Sequence, residues 1–86
     1  MTSGAIRTTD ITAGPGGVMT TEVGVVTGEL TLRTELSGAG EVTVHVQYKD
    51  ADEWYTVHGA KAHLGDKGDL DAVHTIAVAL LDRPSG

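Results

Sequence analysis

Leu30–Gly59, LTLRTELSGAGEVTVHVQYKDADEWYTVHG, holds three runs of alternating apolar and polar residues separated by two turn-rich clusters. A period of two describes a strand with one face buried and one face wet. Leu30, Leu32 and Leu36 fall on one side of the first run, with Thr31, Arg33 and Glu35 on the other. Val42, Val44, Val46 and Tyr48 alternate with Thr43, His45, Gln47 and Lys49 in the second. The third sets Tyr55 and Val57 against Trp54, Thr56 and His58.

A slip of one residue would turn a whole apolar face to water, so matching polarity across strands predicts the register. A five-residue loop from Ser37 to Glu41 sets Leu36 opposite Val42, Leu32 opposite Val46 and Leu30 opposite Tyr48, with Gly38 and Gly40 free to take positive φ. A second loop from Asp50 to Glu53 sets Tyr48 opposite Tyr55, Val46 opposite Val57 and His45 opposite His58.

Outward from this stretch the signals weaken. Met1–Gly17 is rich in Gly, Thr and Ser, contains Gly-Pro-Gly-Gly, and has only Ile6 and Ile11 as sizeable apolar residues between Ala5 and Ala13. It reads equally as a tail and as an arm ordered against a neighbour. Val18–Thr27 reads as one strand, with a bulge at Gly24. Ala60–Leu64 is short and mixed, and Gly65–Asp69 is a loop by composition. Leu70–Leu81 fits two patterns. As a helix it carries a Leu70, Val73, Ala77 and Leu80 or Leu81 stripe behind an Asp69 cap; as a strand it turns Ile76, Val78 and Leu80 to the core. Its β-branched residues and β surroundings favour a strand from about Val73 to Leu81. The expected fold is therefore all-β, a small antiparallel β-sandwich or barrel (18–86) with an extended N-terminal arm (1–17).

Composition narrows the functional classes. The chain has 86 residues, no Phe, no Cys, one Trp and two Tyr. A domain this size buries only about 60–65% of the surface exposed by its unfolded chain. With neither disulfide nor thiolate–metal support, association with copies of itself or with a larger surface is the remaining reinforcement. A net charge of −6, with six scattered Lys and Arg, argues against nucleic acid as a partner. No apolar stretch is long enough to span a bilayer, and the start lacks the apolar core of a secretory signal.

Candidate sites are few. Facing imidazoles at His45 and His58 would suit a shared metal or a pH sensor, but Arg33 beside His45 opposes a cation and no further ligand completes a tetrahedral set. The acidic runs Asp50–Glu53 and Asp66–Asp71 lack the ligand spacing of a calcium loop and read as turns. No Ser sits in a nucleophile elbow, and no Gly-rich turn joins a strand to a helix. The expectation is no enzyme activity, no cofactor and no metal. Trp54, on the wet face near Lys49, reads equally as a contact with a partner or ligand and as a ring folded over the edge of its own sheet or stacked under Lys49. Arg33, His45, His58, Ile6 and Ile11 complete the expected interface. A carbohydrate-binding role for Trp54 is the alternative.

The Gly/Thr-rich opening, the run EVTVHVQYKDADEWYTVHG and the closing AVHTIAVALLDRP give residues 18–84 their family likeness. They resemble the small β-sandwich structural proteins of tailed bacteriophages, above all the capsid decoration (cement) type. The chain departs from the usual acidic turn of such proteins in lacking its paired glycines. The resemblance implies a virion protein on the outer capsid surface, made in the host cytoplasm. The major capsid protein would be its partner, and the protein would be a homo-oligomer, often a trimer at three-fold positions. A tail or fibre role is its neighbouring alternative.

Overall fold

The computed structural model describes residues 5–83. Within them lie strands β1 (Ile6–Thr20), β2 (Gly24–Leu36), β3 (Glu41–Tyr48) and β4 (Tyr55–His63), then a 3-10 turn (Lys67–Asp69) and helix α1 (Leu70–Leu81). The strands pair antiparallel in chain order, and the sheet curls until its two ends meet at one bridge, Thr20 with Val57. Two further ties reinforce that bridge. Thr21 N–H donates to the Thr56 carbonyl at 2.9 Å, and Glu22 accepts from the Thr56 backbone N–H at 2.7 Å and its hydroxyl at 2.8 Å. The Thr56 hydroxyl, followed by its backbone N–H, holds the Glu22 carboxyl below the usual carboxylate range.

The concave face carries the core. Ile11, Ala13, Val18, Val26, Leu30, Leu32, Val44 and Val46 form one buried cluster, against which Ala77, Val78 and Leu81 of α1 pack. Leu36, Val42 and Leu70 form a second, with Val73 and Leu64 beside them. Each such aliphatic side chain contributes about 1.5–3 kcal/mol when fully removed from water.

The first hairpin has the expected register: Leu30 pairs with Tyr48, Leu32 with Val46 and Leu36 with Val42, and Gly40 has φ 90°. The second does not. Val46 pairs with Tyr55 and His45 with Thr56, a shift of two residues that keeps each of these side chains on its expected face, and the register shifts again between His45 and Thr43. Polarity matching cannot detect an even slip. The loop decides it: Asp50 takes φ 68° and Ala51 N–H donates to the Tyr48 carbonyl, so β3 turns away before β4 begins. Tyr48, expected inside, ends β3 at 42% exposure.

The all-β expectation is overturned: this is a four-stranded antiparallel sheet with one packed helix. Leu70–Leu81 is helical because a single curled sheet leaves its concave face needing cover, and the Leu70, Val73, Ala77, Leu81 stripe supplies it. The modest helix penalty of Val73, Ile76 and Val78 is outweighed by burial. No side-chain hydrogen bond caps α1 at Asp69.

The extended arm is likewise corrected. Ile6–Ala13 pairs residue for residue with β2, from Ile6–Glu35 to Ala13–Gly28. Its polar character suits a strand that buries only Ile11 and Ala13 along this half. Residues 1–4 of the expected arm lie outside the described residues. Val18–Thr27, read as one strand, is a hairpin: Thr20 pairs with Gly24, whose φ is 78°, and the Thr20 hydroxyl donates to the Gly24 carbonyl. The register of β1 against β2 shifts between Ala13 and Val18, which accommodates the Gly-Pro-Gly-Gly run. Gly17, with φ 63°, lies so close to β2 that a Cβ there would overlap the Val26 carbonyl oxygen.

Candidate partner interface

Alternation along β2 and β3 puts Arg33 and His45 opposite each other on the convex face. Trp54, at the entry to β4, folds back onto Arg33, with the guanidinium carbon 4.2 Å from its ring centroid. Arg33, rather than Lys49, is therefore the cation that Trp54 meets, and the indole is half-buried within its own chain. Glu35 Oε1 lies 3.7 Å from both Arg33 Nη2 and His45 Nδ1. Arg33 Nε and His45 Nδ1 are buried without a hydrogen-bond partner.

The other expected interface residues are placed elsewhere. Lys49 belongs to a surface cluster with Asp10 at 3.8 Å and Glu29 at 3.9 Å. His58 lies on β4 with its Nδ1 3.3 Å from the Thr21 hydroxyl, and His45 faces Thr56 in its place, so the facing histidine pair does not form. Ile6 is half exposed on β1, whereas Ile11 is buried in the core and cannot anchor a partner. The acidic runs act as turns: Asp66 Oδ1 accepts from Gly68 N–H at 2.8 Å and the Asp66 carbonyl from Asp69 N–H at 3.0 Å.

Sequence reasoning missed the surface that α1 creates. The helix is tied to β1 and β2 along its length. Arg7 pairs with Asp71 at 2.6 Å, Thr12 N–H donates to Asp82, and Arg83 N–H donates to the Thr12 carbonyl. Between these ties His74 bridges the Thr9 hydroxyl (2.7 Å from Nε2) and the Thr34 hydroxyl (2.9 Å from Nδ1). Burial, then the charge of Arg7, pushes the His74 imidazole below its ordinary pKa, with Asp71 acting the other way. The neutral ring has one donor and one acceptor nitrogen, which suits two hydroxyls.

With α1 held against β1 and β2, its flank toward β4 is open. A groove of about 290 Å³ runs between them, walled by Val44, Val57 and Ala60 of the sheet and by Ile76, Ala77 and Leu80 of the helix. Ile76 is 60% and Leu80 68% exposed, one turn apart on the rim. The signal for this surface lay in Leu70–Leu81 itself, whose apolar residues exceed what one buried stripe uses.

No protein-family model matches the chain, and neither a curated protein nor a solved structure matches it.

Proposed function

We propose that this chain is a non-enzymatic binding module that works as an assembly component. The open apolar flank between α1 and β4 carries the reading. Exposed large apolar residues gathered beside a groove mark a docking surface more often than a free one. The small aliphatic core supports the same conclusion, since a domain of this size gains stability from what it binds. In its specific form, resting on the family likeness, the proposal is a capsid decoration protein. It would sit as an oligomer on the outer surface of a major capsid shell and stabilise it. A sugar-binding role for Trp54 is less well supported, because Arg33 occupies a face of the indole.

Where a major capsid gene neighbours the gene for this chain, co-sedimentation with empty shells of its product tests the proposal. The wild-type protein is expected to pellet with shells, and the double variant Ile76→Asp, Leu80→Asp to lose about tenfold or more in affinity while remaining folded. Failure of the folded wild-type protein to bind those shells would contradict the decoration role.

A further inference from the structure

We infer that the open flank accepts a β-strand: an extended, acid-flanked segment of a partner chain that pairs with the free edge of β4 and lays apolar side chains into the groove beside α1. The inference rests on the flank being a binding surface and adds the kind of partner it takes.

The two edges of β4 differ. Toward β3, Lys61 pairs with Thr43, Ala62 with Val42 and His63 with Glu41. Leu64 N–H donates to the Gly40 carbonyl at 2.8 Å, which fixes the alternation. Ala62 then bonds toward β3, while the backbone groups of Lys61 and His63 point away from it. On that outer side β4 meets β1 only at Val57, and Thr56 is tied to Thr21 and Glu22. From His58 to His63 the outer edge has no strand partner among the described residues. Gly59, with φ 78° and open space around it, sits where the β3–β4 register shifts.

An unpaired edge beside an apolar trough selects between occupants. A docked helix would cover Ile76, Leu80, Val57 and Ala60 but leave the β4 backbone groups without protein partners. An added strand satisfies both, with alternate side chains directed into the trough. Charge selects further. The β4 segment YTVHGAKAH has no acidic residue and exposes His58, Lys61 and His63, within a chain of net charge −6. A strand carrying carboxylates outside its apolar positions complements that edge. A second copy of β4 would bring the same basic edge against itself, which cross-strand pairing disfavours.

The test uses the whole protein and a synthetic peptide of roughly ten residues, with alternating Val and Thr and Glu at both ends. A version with a central Pro and an amphipathic helical peptide serve as comparisons. At saturation, amide exchange at Lys61 and His63 is expected to slow by about tenfold or more, with NMR shifts at Ile76 and Leu80. Lys61→Pro removes only an outward N–H and should weaken binding by about tenfold, more than Lys61→Ala does. Leu80→Asp should weaken it while leaving the fold intact.

Absence of slowing at Lys61 and His63 with the alternating peptide overturns the inference. So does binding of the helical peptide with shifts confined to α1. Slowed exchange at the same amides in a free dimer would make a second copy the occupant and also overturn it. Shell binding without slowing at these amides sinks the strand and leaves the decoration proposal standing. Peptide pairing without shell binding does the reverse.

Discussion

His74 shows how one side chain fixes the side on which the molecule is open. Its two ring nitrogens hold Thr9 of β1 and Thr34 of β2, and Thr34 is fully buried. Removing the ring in His74→Ala leaves the Thr34 hydroxyl without its partner, at a cost of about 1–3 kcal/mol. The bridge also makes stability depend on pH. Because burial lowers the folded-state pKa below the ordinary value of 6.5, the neutral ring is favoured by folding. Its contribution is therefore complete above the unfolded-state pKa and is lost as pH falls through the folded one. Urea melts at pH 7.5 and 5 should show the wild-type protein losing stability that His74→Gln does not lose. Equal losses in both would remove His74 as the cause. The strand reading also turns His74 inward, beside Ile76, Val78 and Leu80, but only a helix packed across β1 and β2 sets it between Thr9 and Thr34.

Among the elements, the hairpin of β2 and β3 was legible and the parts packed against it were not, for separable reasons. Strict alternation on both strands and a Gly-containing loop left a single register with Leu32 facing Val46. Next to the loop the β3–β4 register differs from the expected one by two residues, a difference to which alternation is blind, and it shifts again between His45 and Thr43. β1 was obscured because its partner β2, rather than its own side chains, supplies most of the apolar surface. Gly-Pro-Gly-Gly lies inside β1, where the register against β2 shifts. Helix α1 was misread because Val73, Ile76 and Val78 carry a β bias that tertiary burial overrides. Of the candidate site, alternation placed Arg33 on the wet face but set Trp54 beside Lys49 instead of Arg33, and the groove needed the helix to exist.

Two substitutions test these elements separately. Leu70→Ala, at a fully buried position, should cost about 2–5 kcal/mol and lower helical circular dichroism. Gly17→Ala should also destabilise, through its positive φ and the Val26 carbonyl, with helicity retained in the folded fraction. A Leu70→Ala melt matching that of the wild-type protein would contradict the packing of α1.

For the whole molecule, the account comes down to an asymmetry. The curled sheet measures 35 × 22 × 22 Å with α1, and every polar tie of the helix to the sheet described above runs to β1 or β2. The opposite flank keeps Ile76, Leu80 and the β4 edge open to solvent and to a partner. Amide hydrogen exchange of the free, monomeric protein reads that asymmetry directly. Val46, paired on both sides, and Ala62, which bonds inward to β3, should exchange slowly, while Lys61 and His63 on the same strand should exchange at nearly unprotected rates. Protection at Lys61 and His63 equal to that at Ala62 in a proven monomer would mean that the β4 edge is already paired, and the open flank would not exist.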